Sequence, residues 1–108
     1  MRQDQFTVRA QEVMAGAQSL AEGADHAEVT PEHILKAALE QQGGVVSSAL
    51  DRLGVDTSQL AVDLDRMLET LPKQTGGKTV LSSRVDTLLK TAVKEAGKLK
   101  DQYVSTEH

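Results

Sequence analysis

Val29-Thr30-Pro31-Glu32-His33 and, 75 residues further along, Val104-Ser105-Thr106-Glu107-His108 are two versions of one helix start. In each, a hydroxyl residue stands at the N-cap and an acid follows where the positive end of a helix favours it. Pro31 fits the first helical position, whose missing N–H has no partner to lose. The same displacement carries Ala17 onto Ala92, Ala21 onto Ala96, and Ala10, Val13 and Met14 onto Val85, Leu88 and Leu89, without a gap. A chain that builds one helix face twice, and prepares the same cap after each, is a duplicated helical unit. The expected fold is all-α, a pseudo-twofold duplicated helical bundle whose second repeat is truncated at its C-terminus.

Working outward, the stripe Ala10, Val13, Met14, Ala17, Leu20 and Ala21 predicts an amphipathic helix capped by Thr7 and closed by Gly23. Ile34, Leu35, Ala38 and Leu39 face inward after Thr30, and Gly43-Gly44 ends that helix. A short helix follows from Val45 to Leu53, and Asp56 with Gln59 caps the next, whose inward residues are Leu60, Leu64, Met67, Leu68 and Leu71. Pro72 stops it, and Lys73 to Lys78 is polar and without periodicity, hence an exposed loop. Ser83 with Asp86 starts the last helix, with the stripe Val85, Leu88, Leu89, Ala92, Ala96 and Leu99. These boundaries give repeat one about 4–71, a loop 72–81 and a partial repeat two about 82–108. In the second repeat no helix follows the cap to cover Val85, Leu88, Leu89 and Ala92, and each uncovered large side chain forgoes about 1.5–3 kcal/mol. The expectation is a piece of a larger domain, or a partner that supplies the cover.

Composition narrows the function. Among 108 residues, 39% are hydrophobic, yet Phe6 and Tyr103 are the only aromatics, so the core is aliphatic and alanine-rich. The absence of cysteine excludes disulfides, thiolate metal sites and a cysteine nucleophile, and fits a reducing, cytoplasmic setting. A net charge of −4 without a Lys/Arg block argues against nucleic acid, and no apolar run approaches a bilayer span. Gly76-Gly77-Lys78-Thr79 imitates the tail of a phosphate loop, but Pro72 stands where the first glycine belongs. His26, His33 and His108 lack the i, i+4 spacing of a metal pair, and His33 at a helix start reads as a surface or capping residue. No nucleophile elbow or acid–base carboxylate pair is present, so the expectation is a non-catalytic binding module. A helix-turn-helix built on Gly43-Gly44 fares poorly, because Asp51 and Arg52 cancel on its recognition helix.

The opening Met1-Arg2-Gln3-Asp4-Gln5-Phe6-Thr7, Ala17-Gln18, Pro31-Glu32-His33, Gly43-Gly44, Leu71-Pro72 and the run from Lys100-Asp101-Gln102-Tyr103 to His108 together resemble the N-terminal domain of the ClpB-type disaggregases, within the Clp/AAA+ chaperone family. The resemblance implies a domain of two four-helix halves, linked flexibly to a hexameric two-ring ATPase that resolubilises aggregated proteins with the DnaK system. It implies unfolded or aggregated polypeptides as partners, with hexameric self-assembly through other domains. No cofactor is expected in this chain, ATP and magnesium belonging to the rings. It further implies a substrate groove to which Thr7, Asp101 and Glu107 contribute; Leu88, Leu89 and Val104 join as apolar wall on the separate expectation that the truncated second repeat leaves them exposed. Each also has a plainer role: Thr7 as a cap, Asp101 as a solvated loop acid, Glu107 as a dipole-complementing acid, and the three aliphatics as core. The ClpA and ClpC type of protease-associated unfoldase, whose similar domain docks adaptor proteins, is the alternative.

Overall fold

The structure is a computed structural model that describes residues 6–41, 44–98 and 104–108. Its elements run α1 (Val8–Gly23), β1 (Glu28–Val29), α2 (Pro31–Glu40), α3 (Val45–Arg52), α4 (Thr57–Glu69), β2 (Val80–Leu81) and α5 (Ser83–Lys98). Thr7 caps α1 by accepting from the Ala10 N–H at 3.2 Å, and Asp56 caps α4 by accepting from the Gln59 N–H at 3.1 Å. Pro31 is at the start of α2, with Glu32 in its first turn. Gly54, at φ +81°, makes the turn between α3 and α4, a conformation that glycine adopts without a Cβ penalty. No helix among the described residues is long and apolar enough to cross a membrane.

α2 is the central element, packed against α1, α3, α4 and α5. The α1–α2 interface is made of small side chains: Ala17 and Ala21 are wholly buried, and Ala37 and Ala38 nearly so. A Cβ placed on Gly16 would meet the Ala37 Cβ at 3.4 Å, so the two helices approach closely. Val13 and Val29 complete this cluster, with Leu20, Ile34 and Val46 packed at its edge. A second, smaller cluster gathers Ala92, Ala96 and Val104 against Phe6 and Val93.

Two connections between helices contain β structure. β1, in the connection after α1, pairs in parallel with β2, in the 72–81 stretch, matching Val29 with Leu81. Phe6 pairs in parallel with Val104. The displacement by 75 exchanges these pairings, since Val29 maps to Val104 and Phe6 to Leu81. The hydrogen bonds follow: the Ser82 N–H donates to the Val29 carbonyl at 3.0 Å, and the Thr7 N–H to the Val104 carbonyl at 2.8 Å. Each repeat therefore lends its pre-helix segment to the other, which is the pseudo-twofold relation written in backbone bonds.

Two boundaries and two burials differ from expectation. The cap of α5 is Ser82, whose hydroxyl accepts from the Val85 N–H at 3.2 Å, and not Ser83. Ser82 is the residue that maps onto Thr7, so the duplication itself marks the right position. α2 ends at Glu40, ahead of the glycine pair, of which Gly43 lies outside the described residues, as does Leu99 of the last stripe. Met67 is 52% exposed and not inward-facing, because α4 meets α2 through Leu64 and Leu68 alone of its buried residues. His33, expected at the surface or in a cap, does cap α2 but is fully buried.

Val29→Ala, which removes two buried methyl groups, should cost about 2 kcal/mol. Val62→Ala, at a 45% exposed site on α4, should change stability by less than about 0.5 kcal/mol. Urea unfolding midpoints measure both, and equal losses would contradict the placement of β1 in the core.

Candidate functional site: an apolar groove between the repeats

The two repeats meet over a groove of about 360 Å³. α1 lines it with Ala10, Val13 and Met14; α2 with Pro31, Ile34, Leu35 and Ala38; α5 with Leu88, Leu89 and Ala92. Phe6, Val46 and Val104 close its sides, and Ser105, Thr106 and His108 give it a polar edge. α1 and α5 contribute the same register positions, since Val13 and Met14 map onto Leu88 and Leu89. The duplication thus turns one amphipathic stripe into two walls of one groove. Val104 and Ala92 are buried, while Leu88 is 37% exposed and Met14, Ile34, Leu35 and Leu89 are half-buried. Half-buried aliphatic side chains around a concave surface are what an apolar segment of another chain can cover.

The expected site residues divide. Leu88, Leu89 and Val104 come together in the groove, where Val104 is paired with Phe6. Thr7 does not line it; its hydroxyl caps α1 and its N–H ties the chain start to Val104. Glu107 is exposed in the turn between Thr106 and His108, both of which do line it. Asp101 lies outside the described residues. Sequence reasoning missed Met14, Ile34 and Leu35 as walls. They were read as core, with the helix after Thr30 covering the stripe of the helix before it, and only the folded structure leaves them half-buried along the groove.

Charges flank the groove without entering it. Arg84 of α5 donates to both carboxylate oxygens of Glu32 on α2, at 2.9 and 3.2 Å, and bridges the repeats. Burial alone would raise the Glu32 carboxyl, but its own backbone N–H, Arg84 and Thr30 hold it below the usual value. The displacement maps Glu32 to Glu107 and Arg84 to Arg9, so the matching acid stands in the second repeat and the matching base in the first. Lys36 binds Asp65 of α4 and Glu40, and these partners raise its pKa. With aliphatic walls and hydroxyls only at one edge, the groove can bury apolar surface but offers few directional anchors.

The model of the Clp repeat N-terminal domain matches residues 5–108. The chain belongs to the Clp N-terminal domain family. Over 99% of its length it is 40% identical to chaperone protein ClpB of Rhodopirellula baltica and 41% identical to that of Vibrio cholerae. It spans 12% and 13% of the length of those relatives. The N-terminal domain of the ClpV1 ATPase from an Escherichia coli type VI secretion system superposes with a TM-score of 0.87 at 27% identity, over 94% of this chain and 62% of that one. The mostly helical Clp N-domain fold is thereby shown.

Because Thr7 and Ser82 are related caps, Thr7→Ala and Ser82→Ala should each lower stability by about 1 kcal/mol in urea unfolding. A loss at neither site would contradict the capping roles.

Proposed function

We propose that this chain is the substrate-recognition domain of a ClpB-type AAA+ chaperone, holding exposed apolar segments of unfolded or aggregated polypeptides in the groove between its repeats. The supporting observation is the groove itself: aliphatic walls from both repeats, partly open, in a chain about 40% identical to ClpB chaperones. In this reading Leu88 and Leu89 carry the contact, with Val104 beneath them. Glu107, between Thr106 and His108, adds a polar contact at its edge, Thr7 acts by fixing that segment through Val104, and Asp101 adds a second acid to the substrate contact. The bound chain passes to ATPase rings elsewhere in the parent protein, which work with the DnaK system. Binding is weak and promiscuous, because a shallow aliphatic surface without directional bonds discriminates little. Six copies in a ring raise the effective concentration.

The test is fluorescence anisotropy of labelled casein with the chain and its Leu88→Asp variant. Affinity should fall about tenfold or more on substitution, since a charge replaces a leucine worth about 1.5–3 kcal/mol when covered. It should change little between about 0.1 M and about 1 M salt, where ion pairing is screened but apolar burial is not. Unaltered affinity of the variant together with a steep salt dependence would overturn the reading.

A further inference from the structure

His33 is fully buried and His26 is 4% exposed, and their rings meet edge-on with His26 Nδ1 2.9 Å from His33 Nε2. The neighbours fix where the protons are. The Thr30 backbone N–H can only donate, and it donates to His33 Nδ1 at 2.9 Å, with the Thr30 hydroxyl facing the same nitrogen at 2.8 Å. His33 Nδ1 is therefore bare, and its one proton sits on Nε2, pointing at His26 Nδ1. That nitrogen is bare in turn, so the proton of His26 is on Nε2. Both rings are neutral, and each nitrogen free to take another proton already faces an N–H.

A proton added at His33 Nδ1 opposes the Thr30 N–H, and one added at His26 Nδ1 opposes His33 Nε2–H. Either breaks a buried hydrogen bond and leaves a charge in an apolar setting. Burial, and then His26, already push the His33 ring below the ordinary imidazole value, against a smaller upward pull from Glu32. The charged groups packed around the rings do not offer rescue: Glu32 is held by Arg84, Lys36 and Asp65 bind each other, and Glu69 of α4 and Lys73 have opposite signs. Asp25, beside His26 in the chain, is exposed.

The pair also sits at a junction. His33 fixes the cap of α2, next to Val29 of β1. The His26 N–H closes α1 onto the Ala21 carbonyl at 2.9 Å, its carbonyl accepts from the Thr79 hydroxyl at 2.9 Å, and it pairs with Lys73. The Asp25 carbonyl accepts from the Gln74 N–H at 2.8 Å. These bonds hold the segment that carries the chain from α4 to β2 against the end of α1. The second repeat has no such device: His108 accepts from the Ser105 N–H in the same way, but the position matching His26 is Asp101.

We propose that the His26–His33 pair is a proton-operated latch, which on taking up a proton releases the α2 cap and frees the segment between α4 and β2 from the first repeat. A histidine whose folded pKa is depressed contributes stability that is complete above its unfolded value and is lost as pH falls through that value towards the folded one. The window is thus below about pH 6.5.

The experiment uses the chain itself. Nitrogen-15 ring spectra at about pH 7.5 should show Nε2–H tautomers with bare Nδ1 at both rings; a proton on His33 Nδ1 would overturn the proposal. Between about pH 6.5 and pH 5.5, hydrogen-exchange protection at Thr30, Gln74 and Ser82 should fall before that in α4; a simultaneous loss in α4 would mean global unfolding and no latch. Over the same window the unfolding constant should rise by up to about tenfold per pH unit for each proton taken up. His33→Gln supplies an amide that accepts from Thr30 and donates to His26 without titrating, as glutamine does in a capping box, and should flatten this rise at least about threefold. His26→Gln, accepting from His33, is the second variant. Slopes equal to that of the unsubstituted chain in both variants would exclude the pair as the proton sensor.

Discussion

The structure depends on an exchange of short backbone pairings between its two repeats. Val29 lies beside Leu81, and Phe6 beside Val104, so the segment entering each long helix is bonded to the segment leaving the other. Neither pairing is a sheet in any useful sense, and a two-residue strand has no stability of its own. Their effect is positional. They place Thr7 and Ser82 as caps at related points, and so set α1 and α5 in the same rotational register. Once that register is set, Val13 and Met14 of α1 and the matching Leu88 and Leu89 of α5 face one groove.

The groove follows from this. In α1 the innermost face is alanine, which lets α2 come close, and Val13 and Met14 stand at its margin. In α5 the matching margin is Leu88 and Leu89. Two margins from two repeats, with Ile34 and Leu35 of α2 between them, enclose a concave aliphatic surface. The near-absence of aromatic side chains matters here. Aromatic residues supply large, rigid anchors with preferred geometries, and a wall of leucine, isoleucine and methionine instead adapts to many apolar sequences. A grip of that kind suits a protein that meets chains without a fixed structure.

Much of the fold was legible because its signals are local. Helical stripes, the Thr7 and Asp56 caps, Pro31 at the start of α2 and the stop at Pro72 each follow from residues within one turn of one another. The β pairings were not legible, since two residues carry no periodicity and their partners lie some fifty or more positions away. The Ser83 assignment failed for an instructive reason: the acid three residues on, Asp86, favoured Ser83, whereas the duplication puts Ser82 on Thr7. The histidine pair escaped because His26 sits in a connection and His33 in a helix start, and only the folded backbone turns the two rings together. For the site, Leu88 and Leu89 were legible as the large members of the last stripe, and Val104 as the residue just before the second cap. Thr7 proved to act through backbone order, and the α2 wall required the tertiary structure.

The central claim is that the groove between the repeats, and no other apolar surface, receives the apolar segment. Methyl-resolved NMR of the chain with an unlabelled apolar peptide tests this most directly. The account predicts intermolecular contacts to the methyls of Met14, Ile34, Leu88 and Leu89. Contacts confined to Leu53, Val62 and Met67, which are also exposed but lie outside the groove, would contradict it.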